Sequence, residues 1–195
     1  MLHPFDGYWD LKREKRGSLA AANVLTFLFV LAYALRAQFS GYLFTGRLPS
    51  EINGLYETAK IIIPLGLWIV SNWCFTTLMD GEGTMKDIYI ATAYSLKPYI
   101  ITAVPLWLLS RCLTEEEAFI YTALNTIVTV WMLALIFFGM MVTHDYSLSK
   151  GIITAILTLI GICLILFIAL TFTNIIQKIY DFAADIYNEF SYRMT

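Results

Sequence analysis

The sequence predicts an all-α polytopic membrane protein: a bundle of five transmembrane helices, with a short interfacial helix between the second and third and an amphipathic helix at the C-terminus. Three observations predict it. Of 195 residues, 58% are hydrophobic and only 14% charged, far from the balance of a soluble domain. Five apolar runs reach or approach the roughly 20 helical residues that a hydrocarbon core requires. They are Ser18–Arg36, Ala59–Met79, Pro98–Cys112, Ala118–Val142 and Gly151–Thr173. The longest polar connection, Gln38–Thr58, is too short to hold a soluble domain. The chain therefore reads as one domain over 1–195, made of a basic segment (1–17), a five-span bundle (18–173) and a C-terminal helix (174–195).

The first span follows Lys12, Arg13, Lys15 and Arg16. It is too long for a signal-peptide core and lacks a cleavage site, so it reads as a retained signal anchor. The positive-inside rule then puts the N-terminus in the cytoplasm and, with five spans, the C-terminus outside a plasma membrane. Of the 13 Lys and Arg, Lys12, Arg13, Lys15, Arg16, Lys86, Lys97 and Lys150 fall inside and the remaining six outside, so the orientation rests on the first cluster.

The second span ends on Asp80-Gly81-Glu82-Gly83. Thr84 followed by Asp87 has capping-box spacing, which predicts a helix from there to about Ser95, ending because Pro98 disfavours a helical residue before it. Two placements fit. In one, the helix lies on the inner surface as an elbow, with Lys97 and Pro98 marking the corner where the chain enters the membrane and Lys97 reaching back to the headgroups. In the other, a tilted span from about Ile88 to Leu109 buries Lys97.

"TEEE" at Thr114–Glu117 predicts the start of the fourth span's helix, and Ser149 that of the fifth. Thr122, Asn125, Thr126 and Thr129 recur at i, i+3, i+4 and i+7, a single polar stripe suited to interhelical hydrogen bonds or to a solute path. Past the fifth span, Ile175, Ile179, Phe182, Ile186 and Phe190 alternate with Lys178, Asp181, Asp185 and Glu189 at helical period.

Signals for chemistry are sparse. His3 and His144 are placed outside the spans, and "DGEGT" lacks the spacing and lysine of a phosphate loop. Cys74, Cys112 and Cys163 show no metal or redox spacing and read as small hydrophobes. The expectation is a protein that is not an enzyme, without cofactor or metal. A net charge of −2 predicts no nucleic-acid partner.

Two segments, "HPFDGYWDLKREKRGSLAAA" and "SNWCFTTLMDGEGTMKDIYIATAYSLKPYI", together with five spans, resemble bacterial members of the Yip (Ypt-interacting protein) domain family. Eukaryotic relatives bind prenylated Rab GTPases; the resemblance here implies a non-catalytic adaptor or scaffold of a bacterial inner membrane, in contact with lipid and other membrane proteins. The same region is also similar in form to the cytoplasmic coupling loop of ABC sugar-importer permeases, with Gly81 at its glycine and Pro98 at a later proline. Phe75, Thr76 and Thr77 replace its E-A-A, and Ala91, Ala93 and Tyr94 its I, L and P, so the likeness is one of shape. The resemblance suggests an accessory role beside ABC carbohydrate-importer permeases and their ATPase. The expected contact residues are Asp80, Gly81, Glu82, Gly83, Thr84, Met85, Lys86, Asp87 and Ile88. The alternative is a small transporter or channel using Lys97 and the Asn125 stripe.

Overall fold

A computed structural model describes residues 4–14, 17–41, 44 and 52–194. His3, Lys15 and Arg16 lie outside the described residues. The described secondary structure is helical: α1 (Pro4–Arg13), α2 (Leu19–Phe39), α3 (Gly54–Leu78), α4 (Met85–Ser95), α5 (Lys97–Cys112), α6 (Ala118–His144) and α7 (Leu148–Met194).

Among the described residues, four helical stretches are long and apolar enough to cross a membrane: α2, α3, α6 and residues Leu148–Phe190 of α7. Local chemistry explains several boundaries. Asn53 caps α3 by accepting from the amides of Leu55 and Tyr56. Thr84 and Asp87 form the expected reciprocal box at the start of α4. At "TEEE", Glu117 accepts from the amide and hydroxyl of Thr114 in a turn that precedes α6, whose first helical residue is Ala118. α7 begins at Leu148, one residue before the expected cap Ser149.

The expected elbow takes a different form. α4 has the predicted extent, yet it is buried in the bundle rather than laid on its surface: Ile88, Ile90, Ala91, Thr92, Ala93 and Ser95 are all buried. The helix also does not stop because of the residue before Pro98. Lys97 is helical, and the break falls on Leu96, which keeps right-handed helical dihedrals at φ −76° and ψ −12°.

α4 and α5 together run beside the whole of α2. Near its start, Tyr89 meets Asn23 and Thr26, and Ile90 and Ala93 pack on Ala22. At its middle, Leu96, Tyr99 and Ala103 surround Phe29. At its end, Trp107 and Arg111 donate to the Phe39 carbonyl, and Ser110 accepts from the Gly41 amide. Lys97 and Pro98 thus sit near mid-depth of the bundle, as in the second of the two placements. Neither is sealed in: both are half-buried, and Lys97 shares an outward face with the exposed Ile101, Val104 and Leu108. Its ammonium lies 4.3 Å from the Tyr94 ring centre, toward the N-terminal end of the helix, as helical side-chain direction favours.

The first half of α7 packs against α3 through small and polar groups. Ser71 donates to the Thr158 carbonyl at 2.7 Å, Asn72 donates to the Thr158 hydroxyl, and Gly161 sits against Phe75 and Ser71 so closely that a Cβ would come within 2.4 Å of either. Beyond Ile165 the same helix continues as an exposed rod to Met194, with only Ala184 partly covered among its described side chains.

Candidate functional site

Three segments distant in sequence converge at the α1 end of the bundle: α1 itself, the 79–87 turn, and the 143–147 turn between α6 and α7. Each owes its place to an identifiable local feature.

The two turns are built alike. α3 and α6 each end with an aspartate in the left-handed region, Asp80 at φ 54° and Asp145 at φ 56°. After each, the next amide reaches back to close the helix, Gly81 to the Thr76 carbonyl at 2.8 Å and Tyr146 to the Met141 carbonyl at 3.0 Å. The turns then interlock. His144, 1% exposed, accepts the Gly83 amide on Nδ1 at 3.2 Å. The Tyr146 hydroxyl donates to the carbonyls of Thr76 and Met79, each at 3.2 Å, and the two rings stack 5.4 Å apart. Glycine is required at both contacts. A Cβ on Gly81 would come within 2.6 Å of His144 Nδ1 and 2.8 Å of the Thr76 carbonyl oxygen, and one on Gly83 within 2.7 Å of Thr143.

α1 closes the cluster. Tyr8 is 2% exposed and packs with Ala91 and Leu135, over the gap left by Gly139. Its hydroxyl lies 2.6 Å from Ser95 Oγ, and because that serine donates to the Ala91 carbonyl, Tyr8 donates to the serine. Burial pushes the phenol up to about 12, against a smaller opposing effect of the Ser95 bond. At the rim, Lys12 pairs with Glu82 at 3.0 Å and Arg13 with Asp145 at 3.3 Å. The Lys12 hydrogen bond and charge hold the Glu82 carboxyl below its ordinary value. Burial, then the Asp80 charge, raises Tyr146.

Of the expected contact residues, Asp80, Glu82, Thr84, Met85 and Lys86 are exposed. The others serve the fold. Gly81 and Gly83 face inward against the 143–146 turn, Asp87 is engaged in the cap, and Ile88 is 3% exposed. The presented surface is therefore the turn and the first two residues of α4. Beside it, α1 exposes Phe5 and Trp9, each about half accessible.

The polar stripe divides. Thr122 and Thr126 face outward and donate to carbonyls of their own helix, whereas Asn125 and Thr129 line a cleft at the far end of the bundle, where Asn125 accepts from Arg36 at 2.8 Å. His144, placed outside the spans by sequence, is the last residue of α6 and part of its packing.

Sequence reasoning missed Tyr8, the interlock of His144 and Tyr146 with the two glycines, and Arg36. Tyr8 and Leu11 at helical spacing in an otherwise polar segment were a usable signal for α1, as was an arginine inside the last turn of an apolar helix. Among the described residues, no group of three or more His, Cys, Asp or Glu is arranged to hold a metal ion.

Residues 1–170 match the family model of the Yip1 domain. No curated protein and no solved structure matches the chain.

Proposed function

The chain belongs to the Yip1 domain family of membrane proteins, and from that premise we propose that it is a non-catalytic adaptor that presents the 80–86 turn, at the α1 end of its bundle, to a membrane-protein partner. One observation carries this reading. The turn is held rigidly from behind by His144 and Tyr146, while its outer edge, Asp80, Glu82, Met85 and Lys86, stays exposed. A preformed edge loses little conformational freedom on binding, which favours its use as a contact surface.

The basic residues Lys12 and Arg13 support a cytoplasmic position for this end in a plasma membrane. Five crossings, with α4 and α5 together making the third, would leave the end of α7 outside. In a variant freed of native cysteines, a single cysteine at Ser18 should be labelled only from the cytoplasm and one at Asn188 only from outside. Labelling of both from one side overturns the five-span arrangement.

The first partner class to test is an ABC importer's permeases and ATPase, which the family resemblance suggests. Full-length tagged protein extracted in mild detergent should co-elute with such a complex. Asp80→Asn with Glu82→Gln, or Met85→Glu, should release it while the protein stays monodisperse. If both variants retain every partner at the wild-type level, the turn is not the contact.

A further inference from the structure

At the end of the bundle opposite α1, α2, α3, α5 and α6 enclose a cleft of about 510 Å³. Arg36, in the last turn of α2, reaches into it and is only 8% exposed. Its Nε and Nη2 donate to the Tyr121 hydroxyl at 3.3 and 2.9 Å, and Nη2 also donates to the Asn125 carbonyl oxygen. The rings of Tyr99 and Tyr121 flank the guanidinium with centres 5.3 and 5.4 Å away. Every one of these partners is neutral, and among the described residues no carboxylate lies within ion-pair distance of Arg36. A buried guanidinium without a counter-charge is costly, so the site is electrostatically incomplete.

Two further donors lack a protein partner among the described residues. Nη1 of Arg36 has no hydrogen-bond partner among the described residues and is not sealed from the cleft. Ser40, also in the lining, holds a buried hydroxyl that is unpaired among them. The acid in the cleft does not oppose an anion, because Glu57 is matched by Lys60 at 3.0 Å. Below these groups the walls are apolar, formed by Phe29, Ile61 and Met132.

We propose that this cleft binds a phospholipid, with the headgroup phosphate on Arg36 and Ser40 and the start of an acyl chain against Phe29, Ile61 and Met132. A guanidinium presents paired donors that match phosphate oxygens. The depth suits a headgroup: Trp107 and Arg111, which both donate to the Phe39 carbonyl, mark the end of α2 with the aromatic and cationic side chains typical of a membrane interface. The apolar floor gives a tethered phosphate an advantage that a free ion lacks. This site stands apart from the 80–86 turn and does not depend on the adaptor reading.

The test is a titration of the full-length protein, in phosphate-free maltoside micelles, with a fluorescent short-chain phosphatidylglycerol. Wild type should bind saturably, and unlabelled phosphatidylglycerol should displace the probe, whereas the matching diacylglycerol should not. Arg36→Gln should weaken binding at least tenfold and Arg36→Lys less. Ala37→Leu, which narrows the cleft and keeps the charge, should also weaken binding and keeps the test valid if loss of Arg36 disturbs folding. Absence of saturable binding to wild type, or wild-type affinity in both Arg36→Gln and Ala37→Leu, overturns the proposal. Displacement by inorganic phosphate as effective as by the unlabelled lipid overturns the lipid assignment in favour of a free-anion site.

Discussion

The two ends of the bundle handle polar groups in opposite ways. At the α1 end, two helix termini lock into each other, glycines bring backbone against imidazole and phenol, and the charges are paired at the rim where water screens them. At the far end the charge is inside, held by neutral hydrogen bonds beside open space. A mostly apolar chain thus keeps polar residues for two purposes, closing a backbone junction or keeping a cleft open. The two ends differ in how charge is matched: Lys12 and Arg13 meet carboxylates, whereas the Arg36 guanidinium meets only neutral groups.

The sharpest way to break the closed end is Gly81→Ala. The added methyl would meet His144, Tyr146 and a backbone carbonyl, so overpacking should cost roughly 2–3 kcal/mol. The check is a fall in Tm by scanning fluorimetry in micelles, against Gly54→Ala, where nothing lies within 4 Å and the change should be small.

Next in size is the effect of alkaline pH on Tyr8. Its folded pKa, about 12, is above the ordinary 10, so the neutral form is favoured by folding. The associated stability is fully present below pH 10 and is lost as pH rises from 10 through 12, by an amount on the order of 2 kcal/mol. Protease cleavage within α1 should rise over that window in wild type and not in Tyr8→Phe. At neutral pH, Tyr8→Phe should itself cost about 1 kcal/mol, since Ser95 keeps its bond to Ala91.

Smaller still is the rim. Lys12→Met or Glu82→Gln should change Tm by very little, because water screens an ion pair at the surface and its net contribution is small. The depressed Glu82 pKa means that what the pair does contribute is present above the ordinary glutamate range and disappears as pH falls through the folded value. A large loss in either variant would show that the pair positions α1.

The smallest effect expected is from removing residues 174–194. That part of α7 is an exposed rod with almost no packing to the bundle, so its deletion should leave Tm unchanged. A clear drop would place it against the bundle.

What the sequence determined by itself is local. Apolar runs about as long as a bilayer is thick dictate membrane helices, since lipid offers backbone groups no other partner. Thr84 with Asp87 dictates where α4 begins, because a cap needs only four consecutive residues. The tertiary structure alone decided whether α4 lies on the surface or inside. Its amino acids suit either environment, and the surfaces that bury it come from distant parts of the chain, among them Tyr8, Ala22 and Leu135. The same holds for the stripe, where equal spacing on α6 turned Asn125 toward Arg36 and left Thr122 and Thr126 outward. Periodicity states which residues share a helix face; what meets that face is set by contacts between segments far apart in the chain, such as Gly83 with His144, 61 residues apart, and Arg13 with Asp145, 132 residues apart, and no local pattern encodes them.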